Sequence, residues 1–68
     1  MLNYRHTLTT LNSELKKANR TETAEYAYSE AGNTVYRMTE PGAENCRVEC
    51  GIYYSKSDLV EQVNEMIE

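Results

Sequence analysis

The stretch 45–54, N-C-R-V-E-C-G-I-Y-Y, constrains the fold more than any other part of the chain. Cys46, Val48, Cys50, Ile52 and Tyr54 alternate with Arg47, Glu49, Gly51 and Tyr53. Period two sustained over this length marks a strand with one face buried and one face wet. Residues 34–40 alternate too, with Tyr36 and Met38 on one side and Val35, Arg37 and Thr39 on the other. Upstream, Ala24, Tyr26 and Tyr28 alternate with Glu25, Ala27 and Ser29. The turn signals Ala31-Gly32-Asn33 and Glu40-Pro41-Gly42-Ala43-Glu44 separate the three strands.

The register of the first pair follows from where its apolar residues must go. A two-residue loop at Gly32-Asn33 sets Tyr28 opposite Arg37 and Ala27 opposite Met38, which splits the apolar residues between faces. A three-residue loop at 31–33 sets Tyr28 opposite Tyr36 and Tyr26 opposite Met38, on one face. Register follows the hydrophobic pattern, and Asn33 tolerates the left-handed position that ends such a loop. The longer loop is therefore expected.

Helices flank the strands. Tyr4, Leu8, Leu11, Leu15 and Ala18 fall at steps of four, three, four and three and predict a helix over 2–19, with Asn3 as candidate N-cap and Lys16 and Lys17 in its last turns. Leu59, Val63, Met66 and Ile67 predict a closing helix, with Glu61, Asn64, Glu65 and Glu68 on its wet side. Ser55 with Asp58 forms a capping box, and Ser57 is a rival cap. The expected fold is α+β: a two-layer αβββα domain over 1–68, a three-stranded antiparallel meander with both helices on one face. Its expected core is Leu8, Leu11, Leu15, Tyr26, Tyr28, Tyr36, Met38, Cys46, Val48, Cys50, Ile52, Leu59, Val63 and Ile67.

A chain of 68 residues makes one domain at most, and its small core invites support from a partner subunit. A second copy is thus a candidate partner, through the sheet's wet face or its edge strands. Net charge is −4 and is unevenly spread. In residues 1–20, Arg5, Lys16, Lys17 and Arg20 oppose Glu14, four less one, or +3; in 21–68, Arg37, Arg47 and Lys56 oppose ten acids, three less ten, or −7. An acidic body repels nucleic acid and attracts basic partners. No apolar leader or membrane segment is evident, so a soluble cytosolic chain is expected.

Little here suggests catalysis. In an extended strand, Cys46 and Cys50 lie about 13 Å apart at ~3.3 Å per residue, beyond the roughly 7 Å a disulfide spans. They are expected as buried, inert thiols, and with one distant His they do not make a zinc site. His6 lies about 200° round the first helix from Tyr4 at ~3.6 residues per turn, away from the apolar stripe. Three scattered Gly do not form a phosphate loop. No cofactor, metal or catalytic residue is expected.

The αβββα order resembles, in topology, the double-stranded-RNA-binding domain and the small RNA-cleaving toxins. The RNA-binding family has a basic start to its last helix and a Gly-Pro-x-His type loop. Here the last helix opens Ser55-Lys56-Ser57-Asp58, and the corresponding loop is Ala31-Gly32-Asn33. The toxins carry a His on the sheet, which this chain lacks. The comparison therefore weighs against RNA binding.

The expected function is a non-catalytic protein-binding module, a stoichiometric inhibitor or adaptor of the kind phage and mobile elements encode. It would occupy a basic surface of a nucleic-acid-handling partner through Glu25, Glu30, Arg37, Glu40, Glu44, Arg47, Glu49 and Tyr53, with Glu22 contributing. The alternative is a nucleic-acid-binding or regulatory protein that uses Arg5, Lys16, Lys17 and Arg20 on the first helix.

Overall fold

The computed structural model describes residues 2–68. It contains α1 (Leu8–Lys17), β1 (Thr23–Glu30), β2 (Asn33–Pro41), a short 3-10 turn (Ala43–Asn45), β3 (Arg47–Tyr53) and α2 (Lys56–Ile67). The strands form one antiparallel sheet in the order β1-β2-β3. Both helices cover one face of it. The α+β meander expected from the sequence is the fold. Among the described residues, no helix is long and apolar enough to cross a membrane.

The first helix is shorter than its apolar periodicity suggested. Thr7, extended at φ −77°, caps it by accepting a hydrogen bond from the Thr10 N–H at 3.2 Å. Asn3 instead organises a turn upstream, where its side-chain oxygen accepts from the Arg5 N–H at 2.9 Å. His6 thus precedes the helix, and its Nδ1 accepts from the Asn3 N–H at 2.9 Å. At the other end Asn19 is left-handed at φ 59°. The Arg20 N–H reaches the Leu15 carbonyl and the Asn19 N–H the Lys16 carbonyl, a Schellman cap that stops α1 at Lys17. In α2 the Ser55 hydroxyl accepts from the Asp58 N–H at 3.1 Å, so Ser55 rather than Ser57 is the cap.

The core lies between the helices and the sheet. It comprises Leu11 and Leu15 of α1, Leu59, Val60 and Val63 of α2, Ala24, Met38 and Leu2, with Leu8, Tyr36, Tyr53, Met66 and Ile67 packed around it. Two asparagines tie the layers together. Asn12 of α1 accepts from the Ala24 N–H at 2.7 Å and donates to its carbonyl at 2.9 Å, closing part of the free edge of β1. Asn64 of α2 holds Leu2 in the same two-point way, at 3.1 and 2.9 Å. Each clasp satisfies a backbone donor and acceptor that would otherwise be costly to cover.

Two irregularities redistribute the side chains predicted for the core. The β1–β2 loop has two residues, since Glu30 pairs with Asn33. Ala31 and Gly32 both have positive φ, 51° and 80°, as a type I′ turn requires. The register expected from a longer loop, Tyr28 opposite Tyr36 and Tyr26 opposite Met38, is not adopted: the turn sets Tyr28 opposite Val35, and a bulge between Tyr26 and Tyr28 then sets Ala24 opposite Met38. Tyr26 pairs with Tyr36, while Tyr28 moves to the opposite face and pairs with Val35. In β3 a second irregularity falls at Cys50, where Thr39 pairs with Glu49 but Met38 with Gly51. One extra residue reverses the alternation beyond it. Ile52 and Tyr54 therefore leave the helix-covered face, and Tyr53 enters it. The Tyr53 ring folds back over Gly51, with its hydroxyl oxygen 2.5 Å from where a Cβ would stand. Burial pushes the Tyr53 phenol up, with Cys50 adding to the shift.

Cys46, Val48 and Cys50 are exposed, because residues 40–50 form an arm that runs past the helical layer. Both thiols are free. Tyr26 is likewise exposed, and its hydroxyl pairs with that of Ser29 at 3.1 Å.

Candidate partner-binding surfaces

The face of the sheet opposite the helices is built in rows by the two registers. One row is Glu25–Arg37–Ile52 and the next is Thr23–Thr39–Glu49. Beyond them Tyr28 pairs with Val35, and Tyr54 stands one residue past the end of β3, close enough to Tyr28 to act on its phenol. Val35 is only 2% exposed and belongs to no part of the core between sheet and helices. With no helix over it, the flanking side chains cover it. Tyr28 and Tyr54 are 42% and 65% exposed. Local desolvation, then Tyr54, Glu30 and Glu49, hold the Tyr28 phenol above its ordinary value.

The charges on this face are pre-positioned. Arg37 Nε donates to Glu25 at 2.8 Å. Arg47 lies across all three strands: its Nε donates to the Thr39 hydroxyl at 3.0 Å and its Nη2 to the Thr23 hydroxyl and the Thr21 and Thr39 carbonyls. Five donors on one planar group let a single arginine do this, and it covers Thr39, the buried polar residue of the sheet.

Of the residues expected to meet a partner, Glu25, Arg37, Arg47 and Glu49 thus share one face. Glu30 is at the hairpin end and Glu44 lies in the 3-10 turn with φ 53°. Glu40 turns to the other side, where with Glu22, Cys50 and Met66 it lines a cleft of about 180 Å³. Tyr53 also lines that cleft and is not on the outer face. Desolvation, then Glu40 and Glu22, raise the Cys50 thiol, whose Sγ donates to the Met38 carbonyl at 3.4 Å. A raised thiol is a poor nucleophile at neutral pH.

The basic residues of the alternative reading do not form a free patch. Lys17 pairs with Glu14 at 3.4 Å and Arg20 with Glu22 at 3.1 Å. Arg5, upstream of α1, stands over the Tyr4 ring at 5.8 Å. Lys16 is exposed in the last turn of α1.

A second surface was not singled out from the sequence. Asp58, Glu61, Glu65 and Glu68 follow one another at steps of three, four and three, which puts them on one side of α2 at ~100° per residue. All four are exposed, and among the described residues none is in an ion pair. Elsewhere Glu14, Glu22 and Glu25 are ion-paired; Glu30, Glu40, Glu44 and Glu49 are in no ion pair among the described residues either, but they are spread over the sheet and its turns, whereas these four line one side of one helix. Glu61, Glu65 and Glu68 line a groove of about 380 Å³ between α2 and the N-terminal segment, with Tyr4, Val60 and Asn64 beside them. The 3-4-3 spacing of acids was the available signal, but the same residues read equally well as an ordinary wet side.

No family model, curated protein or solved structure matches this chain.

Proposed function

We propose that the chain is a non-catalytic protein-binding module of the cytoplasm, a stoichiometric inhibitor or adaptor that docks α2 onto the basic surface of a nucleic-acid-handling partner. The observation that carries this reading is the unpaired acidic stripe at Asp58, Glu61, Glu65 and Glu68 beside an apolar-floored groove. Carboxylates steer a basic partner into register, and buried apolar contact then holds it. Glu65 and Glu68 stand at the helix C-terminus with no basic residue in the last turn, where the helix dipole disfavours negative charge. Holding acids there costs fold stability, and a partner-binding role supplies a reason to keep them. The exposed free thiols of Cys46 and Cys50 suit a reducing compartment. The ion pairs of Lys17 and Arg20 count against phosphate binding by α1.

The test compares the wild type with Glu61→Gln, Glu65→Gln, Glu68→Gln combined, in capture from nuclease-treated lysate followed by titration of the captured protein. The expected result is a basic protein bound one-to-one, with affinity falling about tenfold or more in the variant and at high salt, as screening of exposed charges demands. The variant should fold at least as stably as the wild type. Equal binding by the variant, or recovery of nucleic acid alone that depends on Lys16, Lys17 and Arg20, overturns the proposal.

A further inference from the structure

The outer face of the sheet has a character unlike that of α2. Its apolar centre is the pair Tyr28–Val35, with Tyr54 just past the end of β3 near Tyr28 and Ile52 in the neighbouring row. Its paired body carries two acids, Glu25 and Glu49, and two arginines, Arg37 and Arg47, with Glu30 at the hairpin end. With three acids to two arginines the face is close to neutral and gives little steering to a strongly basic partner. It does meet the requirement of a two-fold contact, in which one patch must complement itself.

We infer that this face is the surface on which a second copy of the chain docks. Across a two-fold axis, the Tyr28 and Tyr54 rings of one copy lie against those of the other, and each copy offers both signs of charge to its partner. Arg37 and Arg47 are already tied down by Glu25 and by the threonine oxygens, so less side-chain freedom is lost on docking. Exposed tyrosines around a covered aliphatic residue match the anchors of protein interfaces.

Edge-to-edge pairing is the competing route, and the fold discourages it. Both edge strands are irregular, β1 between Tyr26 and Tyr28 and β3 at Cys50, and bulges spoil the straight ladder that a new strand would need. Asn12 also occupies the backbone of Ala24 on the β1 edge. Face pairing has a further consequence. The helices lie on the opposite side of each sheet, so the acidic stripes of α2 are left on the outside of the dimer. A dimer of this form presents two stripes and can engage a repetitive basic partner with avidity. The pairing itself does not depend on what the stripes bind.

The experiment is sedimentation equilibrium of the full chain from ~1 to ~300 μM, a range that covers weak and moderate interfaces. It is run on the wild type, on Tyr28→Glu with Tyr54→Glu, and on Tyr54→Ser alone. The wild type should pass from 7.8 kDa to twice that mass as concentration rises. The double variant should stay at 7.8 kDa throughout. The single variant replaces a residue beyond the end of β3 and should keep the wild-type circular dichroism while weakening dimerisation about tenfold. A wild type that remains monomeric over the whole range overturns the inference. So does a dimer that both variants leave unchanged, or one that disappears in the variant lacking Glu61, Glu65 and Glu68 while surviving in the tyrosine variants. A wild type that dimerises but captures no basic protein sinks the function proposed above and leaves this inference standing.

Discussion

Met38 and Val35 stand three residues apart on the same strand, are equally buried at 2% exposure, and face opposite ways. Met38 lies under the two helices, in contact with the main core. Val35 lies on the side that has no second layer, opposite Tyr28. Burial therefore has two different meanings in this sheet. On the helix side it reports close packing between layers. On the outer side Val35 is already covered, and the apolar area left open belongs to the rings of Tyr28 and Tyr54, which is what a larger cover would bury.

The difference should appear first in stability. Met38→Ala removes a side chain from the packed interior and should cost about 2–5 kcal/mol, the range for large-to-small core changes. Chemical denaturation of a chain this small is treated as two-state, and a loss below about 1 kcal/mol would mean that the helices do not pack on Met38 as described. Val35→Ala should cost less, about 1–2 kcal/mol from the methyl groups removed, because the flanking rings can settle into the space. The two variants also differ in concentration dependence. The Val35 variant should lose part of its stability only at concentrations where the wild type is dimeric, since association stabilises the folded state by mass action. Met38→Ala should be equally damaging at every concentration.

The contrast between the two faces also explains what the sequence could convey. Helix, strand, strand, strand, helix was legible because each segment carries its own period, and Leu11, Leu15, Met38, Leu59 and Val63 were placed correctly from those periods. The face assignments of Tyr28, Ile52, Tyr53 and Tyr54 were not legible. A bulge adds one residue to one strand only, and the alternation in the letters continues through it undisturbed. Gly51 was the sole hint in β3, since an isolated glycine within a strand commonly marks such a point. Nothing comparable marks Ala27. For the exposed arm, Cys46 and Val48 alternate as core residues do, but both lie outside the cluster that α1 and α2 cover. On α2, the acidic stripe was visible in spacing, and its significance came only from the groove that Glu61, Glu65 and Glu68 line beside Tyr4 and Val60.

The smallest expected effect tests the origin of the outer face itself. Tyr28 stands opposite Val35 because the two-residue turn pairs Glu30 with Asn33, with the bulge falling only beyond Tyr28. In that turn Ala31 has φ 51°, a left-handed conformation that costs an ordinary L residue roughly 1–2 kcal/mol. Asn tolerates it, and Asn-Gly is the favoured pair for a type I′ turn. Ala31→Asn should therefore stabilise the chain by about 0.5–1 kcal/mol without enlarging the freedom of the unfolded state, as glycine would. The dimer should be retained, because the substitution favours the turn that puts Tyr28 on the outer face. Under the three-residue loop, Ala31 would not need positive φ, and the same substitution would bring no gain. A thermal midpoint that does not rise in Ala31→Asn would thus argue for the longer loop, return Tyr28 to the helix side, and leave Val35 without the ring opposite it.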